Sequence, residues 1–148
     1  MEDTYRIPLL KFWGVLLVPL QGDITDGTAA SLSDEVLTEI ARAGARAMIV
    51  DLTGVWMLDS HLCSVLSRLA SSAALMGTRT VFSGMSPEIA LTLQTMGAEL
   101  PNVDSALTLE NALELVGIRQ ERPAEPGGSQ TDRSDFASWG HGPDDHWD

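Results

Sequence analysis

Asp59-Ser60-His61 sets a carboxylate, a hydroxyl and an imidazole side by side, the three groups from which a nucleophilic relay is built. Adjacent residues entering a helix point in different directions, so these three cannot line up as a relay. No Gly-x-Ser-x-Gly elbow accompanies them, and without one His61 reads as a first-turn surface residue. The same hydroxyl suits a different chemistry. The apolar stretch Met48-Ile49-Val50 halts at Asp51, a turn-like segment follows, and Asp59-Ser60 opens a helical pattern. A hydroxyl at the mouth of a helix faces unpaired N–H groups and the positive end of the macrodipole, both of which favour an added negative charge. Two readings stand together. Ser60 or Asp59 caps the helix, an interaction of about 1 kcal/mol. Alternatively a kinase modifies Ser60, adding about -1.5 to -2 charge beside Asp59 and near the Asp23 loop.

Other chemistries find less support. Neither Gly-x-x-x-x-Gly-Lys-Ser/Thr nor Gly-x-Gly-x-x-Gly occurs, so no phosphate-cradling loop is expected. Asp23, Asp26 and Asp59 can converge at one sheet end to hold a divalent ion, though such acids also serve as caps and loop solvation. His141 and His146 form a second, weaker metal pattern. Cys63 is the only cysteine; it excludes an internal disulfide and, lying in an apolar-periodic stretch, reads as a buried thiol. We expect no enzyme activity and no cofactor.

The elements that must position Ser60 follow from pattern. With 148 residues and 44% hydrophobic content the chain fits one domain, and with only 5% aromatics its core must be aliphatic. A net charge of -12 argues against nucleic acid or an anionic membrane as partner. No apolar run approaches the roughly 20 residues of a membrane span, and the acidic start Met1-Glu2-Asp3-Thr4 is no signal peptide. A cytosolic protein is expected.

Ile7–Leu10 and Val15–Leu20 read as two strands of a hairpin around Trp13-Gly14, with Pro8 and Pro19 near sheet edges or strand ends. A helix is expected over Thr28–Ala43, with Leu32, Val36, Leu37 and Ile40 on one face and Gly44 as its stop. Ala47–Leu52 reads as a strand covered on both faces. The Ser60 helix repeats Leu62, Val65, Leu66 and Leu69 and ends at Met76-Gly77. Thr80–Ser83 is a strand, Pro87 begins a helix carrying Ile89, Leu91, Leu93 and Met96 and closed by Gly97, Val103 lies in an edge strand, and Thr108 caps a helix with Leu109, Leu113 and Leu115. The order implies an α/β fold, a mixed and mostly parallel sheet flanked by helices. From Arg119 to Asp148 periodicity is lost and helix breakers crowd in, which reads as a disordered acidic tail. Its Phe136, Trp139 and Trp147 stand among acids, a mixture that can dock on a partner or remain solvated.

The pattern over Ile7 to about Ile118 resembles the STAS domain of bacterial anti-sigma-factor antagonists, with residues 5–118 as the domain and 119–148 as the tail. The resemblance is carried chiefly by Asp51-Leu52-Thr53-Gly54-Val55 followed by Leu58-Asp59-Ser60, which looks like the family's phosphorylation segment. Ile7-Pro8-Leu9-Leu10-Lys11, Leu75-Met76-Gly77 and Ser83-Gly84-Met85-Ser86-Pro87 are similar to the RsbS-type branch, the short stressosome component. The resemblance implies a scaffold that assembles with sensor-domain (RsbR-like) paralogues as a hetero-oligomer and sequesters a switch serine/threonine kinase (RsbT-like). Phosphorylation at Ser60 would release the kinase and free an alternative sigma factor in the stress response. It implies Asp23, Thr53, Asp59, Ser60 and His61 as the kinase-binding set. Ser83, standing where relatives often carry threonine in a Thr-Gly-Ile segment, is implied as a second, minor phosphosite. Because the first strand comes at once, no sensor domain is expected. Two alternatives remain within the resemblance: a free antagonist that binds an anti-sigma kinase directly, and a STAS module that senses a small molecule or nucleotide.

Overall fold

Runs that are apolar throughout, such as Val15–Val18 and Ala47–Val50, are buried on both sides only as interior strands. The computed structural model, which describes residues 7–95 and 103–118, places them so. Strands β1 (Leu10–Phe12), β2 (Val15–Gly22), β3 (Ala47–Val55), β4 (Arg79–Ser83) and β5 (Val103–Ala106) form a sheet in the order β1-β2-β3-β4-β5. β1 runs antiparallel to β2, and each later pair is parallel. Helices α1 (Asp26–Ala43), α2 (Ser60–Leu75) and α3 (Pro87–Thr95) are the crossovers, and α4 (Leu109–Leu115) follows β5. Crossovers of one hand, stepping one way across a sheet, put their helices on the same face.

The core divides accordingly. Leu16, Val18 and Leu20 of β2, Met48, Val50 and Leu52 of β3, and Phe82 of β4 pack against Leu32, Val36 and Ile40 of α1, Leu62, Leu66 and Leu69 of α2, and Ile89 and Leu93 of α3. The alternate residues Val15, Leu17, Ala47, Ile49 and Val81 meet Ala112 and Val116 at α4. At the N-terminal end of the strands, Arg46 Nη1 donates to Val116 O at 2.6 Å and Arg79 Nη1 to Leu115 O at 3.1 Å, so two guanidinium groups satisfy orphan carbonyls at the end of α4. Lys11 of β1 and Arg42 flank Glu39 of α1, and Lys11 first, then Arg42, hold its carboxyl below the ordinary range.

Several expectations need correction. β1 is Leu10–Phe12 rather than Ile7–Leu10. Trp13 and Gly14 both have positive φ, 52° and 76°, the mark of a two-residue I′ hairpin turn, and that turn pairs Phe12 with Val15. Ile7 is buried in the main core without entering a strand. Pro19 lies inside β2, an interior strand, but β1 reaches no further than Leu17, so the missing N–H of Pro19 deprives no ladder on that side. β3 does not end at Leu52; it continues to Val55. Pro19 pairs with Asp51 but Gln21 with Gly54, so Leu52 and Thr53 stand together against Leu20. This bulge resets the alternation, which is how Leu52 and Val55, three residues apart, both enter the main core. α1 begins two residues earlier than expected, with Thr25 as its cap, and ends at Gly44 in the left-handed region. Leu91 and Leu115 face outward, since Ile89 and Leu93 of α3, and Ala112 of α4 with its C-cap Val116, take the i, i+4 positions that face the sheet. Met96 and Gly97, and the tail from Arg119 with its aromatics and histidines, lie outside the described residues. Among the described residues no helix is long and apolar enough to cross a membrane.

Candidate functional site

Ligand and partner sites in open parallel sheets lie beyond the carboxyl ends of the strands, and the segment after β3 is held there by two buried residues. Val55 and Leu58 are 6% and 3% exposed, whereas Trp56 and Met57 between them are 76% and 65% exposed. The chain then enters α2. Asp59 is the N-cap, in extended conformation, and its Oδ1 accepts a hydrogen bond from Leu62 N at 2.8 Å. The capping role therefore belongs to Asp59, and Ser60, the first residue of the helix, is exposed with no side-chain partner among the described residues. One turn on, Cys63 is buried. Desolvation first, and the negative charge of Asp59 second, push its thiol upward, so it stays protonated and unreactive.

His61 turns away from Asp59. Its Nε2 lies 3.8 Å from Asp26 Oδ1 at the start of α1, beyond hydrogen-bond reach and with both groups exposed. The Asp59 carboxylate is engaged by a backbone N–H and the imidazole faces another helix, so the three neighbours form no relay. Asp23 lies with Gln21, Gly22, Gly54 and Trp56 around an open groove of about 540 Å³ between the β2–α1 and β3–α2 connections. Among the described residues no three His, Cys, Asp or Glu side chains come close enough to hold a metal ion, so Asp23, Asp26 and Asp59 do not converge as a metal site.

Thr53 and Ser83 belong to a separate cluster. Asp51 projects from the face of β3 opposite to Val50 and Leu52, and its Oδ1 accepts hydrogen bonds from Ser83 Oγ at 2.8 Å and Thr53 Oγ1 at 2.9 Å. Ser83 is fully buried, so a kinase could reach its hydroxyl only after this cluster opened. Gly84, at φ 70°, lies so close that a Cβ there would stand 3.0 Å from Asp51 Oδ1 and overlap Thr53 Oγ1. The structure thus gathers Asp23, Asp59, Ser60 and His61 around the α1 and α2 N-termini and sets Thr53 and Ser83 apart. Sequence reasoning assigned no role to Trp56 and Met57. The available signal was two large apolar residues lying between two others, Val55 and Leu58, that a core needs.

Comparison with known proteins agrees with this fold. The STAS domain family model matches residues 7–112. The RsbT co-antagonist protein RsbRD of Bacillus subtilis (strain 168) is 28% identical over 106 residues, 72% of this chain and 38% of that protein. The chain thus spans about two fifths of the length of such a relative. A solved Moorella thermoacetica RsbS bearing a serine-to-glutamate substitution superposes with a TM-score of 0.69 at 26% identity, covering 76% of this chain and 95% of that one. A chain from a structure of the stressosome, described as a signal integration and transduction hub, gives a TM-score of 0.64 at 25% identity, covering 74% and 95%.

Proposed function

The chain belongs to the STAS domain family, and on that premise we propose that it is a non-enzymatic anti-sigma-factor antagonist of the stressosome type, switched by phosphorylation of Ser60. The observation that carries this reading is the exposed Ser60 hydroxyl at the start of α2, left unengaged because Asp59 supplies the cap. The helix N-terminus tolerates a phosphate, so the fold survives modification. The surface does not stay the same. A phosphate brings about -1.5 to -2 charge beside Asp59, with Asp26 standing near the neighbouring His61. Unmodified, the protein binds an RsbT-like switch serine/threonine kinase, in an oligomer with RsbR-like paralogues. Modified, it lets the kinase go, because an unpaired charge desolvated at an interface costs several kcal/mol, enough to release a micromolar partner. ATP and magnesium belong to the kinase, and this chain contributes no catalytic group.

The test is intact mass and phosphosite mapping after incubation with the host's switch kinase and ATP, comparing wild type with Ser60→Ala. One phosphate on Ser60, missing from the variant, is expected. No phosphate, from a kinase active on another antagonist, overturns the reading.

A further inference from the structure

Ser60 is a small target, and a hydroxyl alone supplies little affinity. Large apolar side chains are exposed at several places, Trp13 and the adjacent Leu75 and Met76 among them, but Trp56 and Met57 stand in the connection that leads directly to Ser60. Trp56 and Met57 are adjacent and both largely exposed, and the burial of Val55 and Leu58 on either side obliges them to face outward. The connection is thus pinned at both ends and presents its two largest apolar side chains to solvent. Tryptophan dominates interface hot spots, and methionine adapts to irregular apolar partners. Trp56 also lines the groove that Asp23 lines, an exposed acid with no ion-pair partner among the described residues.

We propose that Trp56 and Met57 are the affinity anchor for the kinase that modifies Ser60, a docking element distinct from the hydroxyl itself. This rests on the function proposed above. The partner surface it fits has an apolar pocket for Trp56 and Met57 and one cation for Asp23 in the same groove. The surface is continuous with the modification site, since Met57 precedes Ser60 by three residues. That placement also explains release. The phosphate would lie under the apolar part of the partner beside Asp59, while the partner's cation is committed to Asp23, so the new charge is desolvated without a counterion.

The experiment titrates the 148-residue chain with the kinase by calorimetry, using wild type, Trp56→Ser, Met57→Ser and the exposed control Leu91→Ser on α3, with sedimentation of each chain alone. Truncation at a hot spot costs about 2 kcal/mol, so Trp56→Ser should weaken kinase binding about 30-fold. Met57→Ser should weaken it less, and Leu91→Ser should leave it unchanged. At saturating kinase all variants should still take one phosphate on Ser60, which shows that the modification site is intact. Wild-type affinity in Trp56→Ser, with Ser60 still phosphorylated, overturns the anchor and leaves the Ser60 switch standing. An equal loss in Leu91→Ser also overturns it, as does a wild-type chain that self-associates through Trp56, which would give this surface to a second copy. A wild-type chain that neither binds the kinase nor is phosphorylated overturns both proposals.

Discussion

Two groups of aspartate and hydroxyl residues sit at the carboxyl end of the same sheet, and they use the same chemistry in opposite ways. In one, Asp59 directs its carboxylate to a helix N–H and leaves the neighbouring Ser60 hydroxyl exposed. In the other, Asp51 directs its carboxylate to two hydroxyls and closes Ser83 into the interior. A serine beside an aspartate is therefore open or shut according to what the carboxylate is bonded to. The capped helix exposes its first side chain, since an N-cap already satisfies the N–H that the next hydroxyl would otherwise take. The strand pair buries its hydroxyl, because parallel register sets Ser83 directly against Asp51. Of two serines with similar neighbours, Ser60 presents its hydroxyl at the surface and Ser83 does not.

The largest expected effect lies in the closed cluster. Gly84→Ala forces a Cβ into the space of Thr53 Oγ1 at a backbone angle, φ 70°, that side chains rarely adopt. Left-handed strain of about 1–2 kcal/mol and a lost hydrogen bond of about 1 kcal/mol add to a destabilisation of about 2–3 kcal/mol in urea unfolding. Adding Thr53→Ala should restore part of that loss, because it removes the atom the methyl strikes. A Gly84→Ala protein as stable as wild type would mean that the cluster yields easily, and the contrast with Ser60 would lose its force.

At the open site the corresponding change is milder. Asp59→Ala removes the cap of α2 and should cost about 1 kcal/mol. It also takes away the charge that helps hold the Cys63 thiol up, so Cys63 should become somewhat more acidic while burial keeps it above the ordinary value. Unfolding curves and the pH dependence of thiol alkylation check the two halves separately. No loss of stability would mean that Ser60 takes over the cap, and then its hydroxyl is less available than the structure indicates.

Much of this contrast was within reach of pattern reasoning, and some was not. The apolar period of 3.6 places Leu32, Val36 and Ile40, and then Leu62, Leu66 and Leu69, on buried faces, and Gly44 marks a helix end because only its conformation is left-handed there. A hydroxyl at the mouth of α2 is equally visible. Choosing Asp59 over Ser60 as the cap was not, since adjacent residues of similar capping strength differ only by where the chain turns. Asp51 and Thr53 look like turn residues because they project from one face of β3, and the bulge that lets the strand continue depends on pairing with β2 more than thirty residues earlier. The burial of Ser83 is likewise a matter of register with Asp51, 32 residues away, and no local pattern encodes it. His61 meeting Asp26 depends on how α1 and α2 pack.

The smallest effect is the one that most sharpens the comparison. Ser60→Ala removes a hydroxyl that bonds to no described side chain, at an exposed first-turn position where alanine is well tolerated. Its stability should stay within about 0.5 kcal/mol of wild type. Ser83→Ala should cost more, about 1 kcal/mol, because it removes the hydrogen bond that the buried Ser83 donates to half-buried Asp51 while the bond from Thr53 persists. Parallel urea titrations of the two alanine variants read the difference directly. If Ser83→Ala is the neutral one and Ser60→Ala the costly one, the open and closed assignments are reversed. If Ser60→Ala is neutral, any loss of phosphate or change in kinase binding in that variant reports on the hydroxyl alone, with no contribution from a damaged fold.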